Sequence, residues 1–553
     1  MPLALSTPAL AADADEAELA ELFGEEAFVS IATGYEQPLR GAPAVATVIT
    51  ADDIEATGKT TLGEILQLVP GFHSLYRFQG DQFIVRGIRT EGNLSPDVLI
   101  MIDGVPQNDI HLGNQRRFIS EIPLVSIERI EVIRGPYSTL YGADAFSGVV
   151  NIITKGYNEA KTSESWVRSG SFDTVEGCWL QRIPLADGTL VSAQLRRTDG
   201  HRPEFAEDRQ SQLDQLFGTD ASLAPANANT DFKDYSFMLD QWWNNWHLRL
   251  RARGREAGLG IGLTGAFDPD GQVEDTQYNA EIHYRNRSLG DWDAALALNF
   301  FHHAIQSRDT TAFPPGAFGG RFPDGVKDDL EWKERHWRLE SSAFYRGWRL
   351  HTPHIGAGVE YAKVFDVGEN RNYVSDPLTG VPAVALPGLV EVDETDLFSK
   401  DDSRTFWYAY VQDEWAFAAD WTLTAGTRID HYSDVGSTVN PQVALVWATN
   451  HALTTKLLAG RGFRAPTLFE LNAQNNPASL GNPDVDPVTI WSVELAFAYA
   501  PHPRLATDLT FFYHEIDEII DLVPTEPVGL QVDNASGSRV TNSRSQVFQT
   551  APP

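Results

Sequence analysis

From about Gly156 to Asp521 the chain alternates between apolar and polar residues at period two. Trp246, Leu248, Leu250 and Ala252 fall on one side of such a stretch, and His247, Arg249, Arg251 and Arg253 on the other. Trp491, Val493, Leu495, Phe497 and Tyr499 share a side, as do Leu505, Thr507, Leu509, Phe511 and Tyr513. Between Trp421 and Ile429, Leu423 and Ala425 oppose Thr422, Thr424 and Arg428. Successive side chains of a strand point to opposite faces, so each stretch predicts a strand with one apolar and one polar face. About fifteen such strands can be counted from Trp166 to Asp521 by this alternation. Trp and Tyr gather near their ends, as in a membrane barrel bounded by aromatic girdles. Alternation by itself also fits a soluble β-sandwich.

Residues 42–155 read differently, as a small α+β domain. Val45 to Ile49 suits a strand, and Thr50 or Asp52 suits the N-cap of a short helix. Leu62, Ile65, Leu66 and Val69 recur at helical spacing until Pro70-Gly71 stops them. Strands are predicted at Phe83 to Val85, Val98 to Ile102 and Glu131 to Ile133, with a turn at Asp103-Gly104. Gly135, Pro136, Gly142 and Gly148 hinge the link between two apolar runs that end at Ile133 and begin at Val149. No nucleophile with its base, phosphate loop or metal cluster stands out in this domain.

The 43 Lys and Arg are outnumbered by 76 Asp and Glu, a formal charge of -33 that excludes a nucleic-acid binder needing a basic face. Acidic residues here serve either as a solubilising surface or as loops that concentrate cationic ligands. The single cysteine, Cys178, excludes an intramolecular disulfide and a cysteine zinc cluster. No apolar run reaches the roughly eighteen residues of a membrane helix, whereas barrel strands need only ~10 alternating residues. Residues 1–12 contain Leu3 to Ala12, which looks like the tail of a signal peptide, although the first basic residue is Arg40. Residues 13–41 are acidic and then extended, and are expected to be mobile.

Several of these stretches carry a resemblance. Ser126 to Lys155, SIERIEVIRGPYSTLYGADAFSGVVNIITK, closely resembles the end of the plug domain of TonB-dependent outer-membrane receptors. Phe83-Ile-Val-Arg-Gly87 and Val98-Leu-Ile-Met-Ile-Asp-Gly-Val-Pro106 precede it in the same order as in that family. The resemblance implies a membrane all-β fold: an antiparallel transmembrane β-barrel, residues 156–553, with the α+β plug of residues 42–155 in its lumen. It implies no bond chemistry but the uptake of a scarce metal chelate across the outer membrane of a Gram-negative bacterium. It also implies an energising partner, the periplasmic protein TonB. Phe28, Val29, Ser30, Ile31, Ala32 and Thr33 resemble the TonB box by their place before the plug, and such a stretch can add itself to the edge of a partner's sheet. A plain linker is the alternative.

The same resemblance implies that Arg86 and Arg134, with Glu128 and Glu131 beside the same strands, form a polar plug–barrel contact against glutamates of the inner wall. Solvated turn charges are the alternative. Tyr408 and Tyr410 share a strand face with Arg404 and Gln412, and if luminal would offer phenols and a cation to an anionic aromatic chelate. A ferric siderophore is the expected cargo, with cobalamin and haem as alternatives. Gly462-Phe-Arg-Ala-Pro-Thr-Leu-Phe-Glu-Leu471 and Asn482-Pro-Asp-Val485 resemble haem receptors, yet no histidine lies between Thr467 and Gly481. His111, His302, His303, His351 and His354 read as surface or girdle residues rather than iron ligands. Loops rich in Pro, Gly, Asp and Asn, at 200–231, 316–327 and 368–402, are the natural place for capture.

The carboxyl end departs from the family. Its transporters close with 22 strands, but after Asn534 the sequence is polar, without period, and finishes in Pro552-Pro553. An open barrel would leave unpaired edges in lipid. The expectation is therefore a barrel lacking its C-terminal strands, whether from a truncated receptor, a non-functional remnant or a shifted reading frame.

Overall fold

A computed structural model describes residues 27–550 apart from 78–79, 89–96, 114–121, 159, 161, 263, 377, 477–478, 503–504, 525–529 and 535–541. The signal-like residues 1–12 and the acidic residues up to Glu26 lie outside the described residues.

The inner domain begins with β1 (Phe28–Val29) and β2 (Gln37–Pro38), which pair as a small hairpin. Next come β3 (Ala46–Thr50), α1 (Ala51–Thr57) and α2 (Leu62–Leu66). Thr50 and Thr61 each cap their helix in a reciprocal box, with Asp53 and Glu64 reaching back. The remaining strands are β4 (Phe72–Arg77), β5 (Gly80–Val85), β6 (Val98–Ile102), β7 (Val105–Pro106), β8 (Ile127–Arg134) and β9 (Gly148–Thr154). A five-stranded sheet runs in the order β3-β8-β9-β6-β7, with β6 parallel to β9. One face of this sheet packs Ile130, Val132 and Ile152 on the helix residues Ile54, Leu62 and Ile65. The other face packs Leu99, Met101, Ile133 and Val149 on Val29, Ile31 and Ala32 of the N-terminal segment. Residues 27–41, within a stretch expected to be mobile, are therefore folded onto the plug.

The outer domain is one antiparallel sheet of eighteen strands, each next to its chain neighbour. Two of them, Thr311–Phe313 and Pro382–Glu391, are short extensions within loops, which leaves sixteen strands for the wall. Short turns such as Asn244–Asn245 alternate with long connections such as residues 199–231, 309–325 and 376–401. The long set marks the external side. The alternation read from sequence is the in–out pattern: Trp407, Val411 and Trp415 are exposed outward, while Arg404, Tyr408 and Gln412 are buried inward. Aromatic pairs ring the short-turn end, among them Trp421–Trp447 (4.8 Å), Trp246–Tyr284 (4.9 Å) and Trp292–Tyr345 (4.9 Å). The stretch after Asn534 contains a strand that periodicity missed, Asn542–Thr550, paired along Ala506–His514. Among the described residues no pairing joins this strand to the first wall strand, Glu164–Gly170.

Candidate functional site

The strand β8 lies inside the sheet, so its side chains meet whatever covers each face. Glu131 faces the N-terminal segment and is fully enclosed. Its carboxylate accepts the backbone N–H of Ser30 (3.0 Å) and of Ile31 (2.8 Å), and the Ser30 hydroxyl. Arg129 Nε donates to the same carboxylate at 2.8 Å and ties in Glu128 and Glu36, also at 2.8 Å. The Tyr141 hydroxyl donates to the Ile31 carbonyl (2.8 Å), and Gln37 donates to the Thr33 hydroxyl (2.8 Å). Val29, Ile31, Ala32 and Thr33 are buried, while Phe28 remains half-exposed. The expected plug–barrel role of Glu128 and Glu131 is thereby corrected: both join Arg129, and Glu131 holds the N-terminal segment. The N-terminal segment, some hundred residues away in sequence, occupies that face of the sheet at Glu131.

Arg86 does reach the wall. Its guanidinium lies 2.8 Å from Glu494 and over the Phe512 ring at 4.4 Å, all buried. Gly135 clears the way, since a Cβ there would come within 2.2 Å of Glu494 Oε1, and its φ of +105° also favours glycine. Arg134 donates to the Pro70 carbonyl and the Thr47 hydroxyl, both at 3.1 Å. Burial and the neighbouring Arg86 charge push its pKa down to about 10, against the pull of Asp508 and Glu494. Among the further plug–barrel contacts that sequence reasoning missed, two involve carboxylates. Glu334 on the wall accepts the backbone N–H groups of Ile110 and His111, both at 3.0 Å. Asp103 pairs with Arg251 and lies 3.7 Å from Arg249. The signal for the second was present, because Arg249 and Arg251 belong to the polar face of an alternating strand.

A cavity of about 510 Å³ separates the plug from the wall beneath the external loops. Tyr408, Tyr410 and Arg404 line it from one strand and Arg428 from the next, so that face of the first strand is luminal. The Arg428 guanidinium stacks 3.6 Å above the Tyr408 ring, while the Tyr408 hydroxyl donates to Glu340. The Tyr410 hydroxyl meets His354 Nε2 at 2.9 Å. Asp144 faces the same space, and burial raises its pKa to about 7. The histidines differ from their surface reading. His111, His303 and His354 are buried, and His111 is enclosed by Trp332, Phe398 and Phe469. Desolvation lowers the His111 pKa to about 4.

Residues 202–544 match the family model "TonB dependent receptor-like, beta-barrel", and residues 38–149 match "TonB-dependent Receptor Plug Domain". The chain belongs to the TonB-dependent receptors. Among its relatives is an iron-regulated outer membrane virulence protein of Vibrio cholerae, 26% identical over 530 residues, covering 90% of this chain and 70% of that protein. The vitamin B12 transporter BtuB of the same species is 24% identical over 511 residues, 90% of this chain and 71% of the transporter. Among solved structures, a ferric enterobactin receptor mutant (PfeA) of Pseudomonas aeruginosa matches with a TM-score of 0.66 at 19% identity. It covers 92% of this chain and 78% of that one. The siderophore receptor PirA of Acinetobacter baumannii gives 0.62 at 18% identity, covering 92% and 76%. These solved structures share the fold of this TonB-dependent receptor: a plug seated inside an antiparallel barrel.

Proposed function

We propose that this receptor takes up a ferric siderophore with anionic aromatic arms across the outer membrane of a Gram-negative bacterium. The observation that carries this reading is the luminal cavity, where arginines and tyrosines converge under the long loops. Arg404 and Arg428 offer charge and forked donors to a phenolate or carboxylate. Tyr408 and Tyr410 offer ring faces, and Arg428 already occupies one as a cation would. Relatives named as iron-regulated and siderophore receptors support the class.

In the proposed cycle Phe28–Thr33 is the TonB box, held on Glu131 until cargo arrives. Tyr141 touches both ends of this device, because its ring lines the cavity and its hydroxyl holds Ile31. Cargo that displaces Tyr141 frees the segment for β-addition to TonB. TonB then draws on it, and the buried plug–barrel ion pairs give way. Cobalamin is the second reading, favoured by the BtuB relatives. Tryptophan-fluorescence titration of the detergent-purified chain with a ferric tris-catecholate, cobalamin and haem tests the proposal. Saturable quenching by the ferric complex is expected. Saturable binding by cobalamin or haem alone would overturn it.

A further inference from the structure

We propose that the lipid side of the wall carries a site for a phosphate monoester on an outer-leaflet glycolipid, built by Arg335 and Lys363 with His302 and Lys333 beside them. The inference goes beyond the cargo and does not depend on it. It needs only a barrel whose long loops face outside.

Pairing registers bring these residues together. On the strands Trp292–Arg308, Val326–Tyr345 and His351–Ser375, His302 stands opposite Arg335, and Arg335 opposite Lys363. Tyr278 and Ser403 continue this row on either side, so no carboxylate belongs to it. Lys333 stands one outward position further from the membrane, opposite Phe365. One outward position nearer the membrane is the row of Phe300, Trp337 and Tyr361, where the Phe300 and Trp337 rings lie 4.6 Å apart. That row is an aromatic girdle, and Trp292 with Tyr345 is its counterpart at the short-turn end. From Tyr345 to Arg335 the strand climbs ~34 Å at ~3.4 Å per residue, or ~26 Å upright at a tilt of ~40°. An apolar band is ~25 Å tall, so Arg335 and Lys363 emerge where acyl chains give way to headgroups.

Two cations directly opposite on a strand pair repel each other, and an anion held between them removes that cost. Arg335 is placed to take one. Its guanidinium lies 4.8 Å over the Phe365 ring, and among the described residues no carboxylate or carbonyl binds it. Stacked on a ring face, a guanidinium still presents its forked donors at the edge, a geometry that matches phosphate. Lys333 and Lys363 are steadied by carboxylates, Asp366 at 2.9 Å and Asp401 at 3.9 Å. Other cations on the lipid side meet a carboxylate: Lys233 has Glu256 at 3.8 Å, and Arg308 has Glu274 at 3.1 Å. Arg461 shares its row with Trp491 and Glu515. In a chain with a formal charge of -33, a row of cations that excludes carboxylates is the exception. A phosphate monoester carries about 1.5 to 2 negative charges at neutral pH, so it answers two opposed cations better than the single charge of a phospholipid diester.

Native mass spectrometry of the detergent-purified full chain, titrated with bisphosphorylated lipid A, tests the site. Lipid A is expected to stay bound at concentrations where phosphatidylglycerol and dephosphorylated lipid A are lost. Arg335→Gln and Lys363→Gln are expected to weaken it about fivefold each, and roughly thirtyfold together. Arg461→Gln, also on the lipid side but beside Glu515, should leave the affinity unchanged. An equal loss there would make the attraction a general one and overturn the site. Retention of lipid A by the double variant at the parent's affinity would overturn it too. Equal retention of the dephosphorylated lipid by the parent, a result that needs no variant to fold, would assign the contact to acyl chains alone. If inorganic phosphate displaces lipid A at matching concentration, the row holds a free anion and the lipid assignment falls. A chain that holds lipid A as stated but binds no ferric complex would overturn the cargo and leave this site.

Discussion

Glu131 shows what one residue in the middle of a strand can decide. A carboxylate that accepts two backbone N–H groups of the segment it holds and one arginine of its own strand has its charge compensated from both sides. Hydrogen bonds to a charged acceptor contribute about 1.5–3 kcal/mol each. Glu131→Gln removes the charge and turns an amide donor toward donors, so the undocked fraction of residues 28–33 should rise about tenfold or more. A nitroxide at Phe28→Cys in a Cys178→Ser background reads this by electron paramagnetic resonance; a spectrum as immobile as that of the parent would reject the latch. Its charge was legible in the sequence but its partner was not, since alternation does not say what covers a face. His111 makes a second case. Its folded pKa of about 4 lies below the ordinary 6.5 because burial disfavours the cation. The unfolded chain therefore binds the proton first, and stability is lost as pH falls from 6.5 to 4, by up to ~1.4 kcal/mol per pH unit. His111→Phe suits the cage of Trp332, Phe398 and Phe469 and should flatten this acid dependence while holding or raising stability at pH 7. Urea unfolding followed by tryptophan fluorescence between pH 4 and 7 checks both signs.

At the scale of elements, strands were legible wherever one face meets lipid and the other the lumen. That contrast is a solvent contrast, and it is strongest in stretches such as Trp421–Tyr432 and Val488–His502. It fades where both faces are polar, which is why Asn542–Thr550 was not seen although its backbone pairs in register. The plug strands of the central sheet were found by apolar runs and turn residues, but Phe72–Arg77 and the fold of residues 27–41 onto the sheet were not, because a two-residue hairpin leaves no periodic trace. The membrane face gives a prediction that belongs to a strand. Val411 is half-exposed midway between the girdle residues Trp407 and Trp415. Val411→Arg places a charge near the bilayer midplane and should cost ~2–4 kcal/mol, whereas the same change at an end of the strand should cost ~0–1. Reversible folding into lipid vesicles, with Phe417→Arg as the end-of-strand comparison, measures the difference. Equal costs at both depths would place Val411 outside the apolar band.

At the scale of the molecule, the question is how a plug stays seated and yet is released. Wall and plug meet at separate buried points: the ion pairs of Arg86 with Glu494 and Asp103 with Arg251, and the hydrogen bonds of the Ile110 and His111 amides to Glu334. Such contacts stabilise only while both partners are present, since one charge left alone in a buried site costs about 3–5 kcal/mol. The environment of Arg86 makes the cost asymmetric. Arg134 lies beside it, already depressed to about 10 by burial and by the Arg86 charge, and both lean on Glu494. Arg86→Leu removes one of two neighbouring cations and leaves Glu494 within the field of Arg134. Glu494→Gln removes the anion and leaves two buried guanidiniums facing each other. The second variant should therefore release the plug at lower urea than the first, and the double variant should lose much less than the sum of the two losses. Limited proteolysis of the plug against urea concentration orders the three. If the losses simply add, Arg86 and Glu494 act independently, and the seat of the plug lies in the remaining contacts.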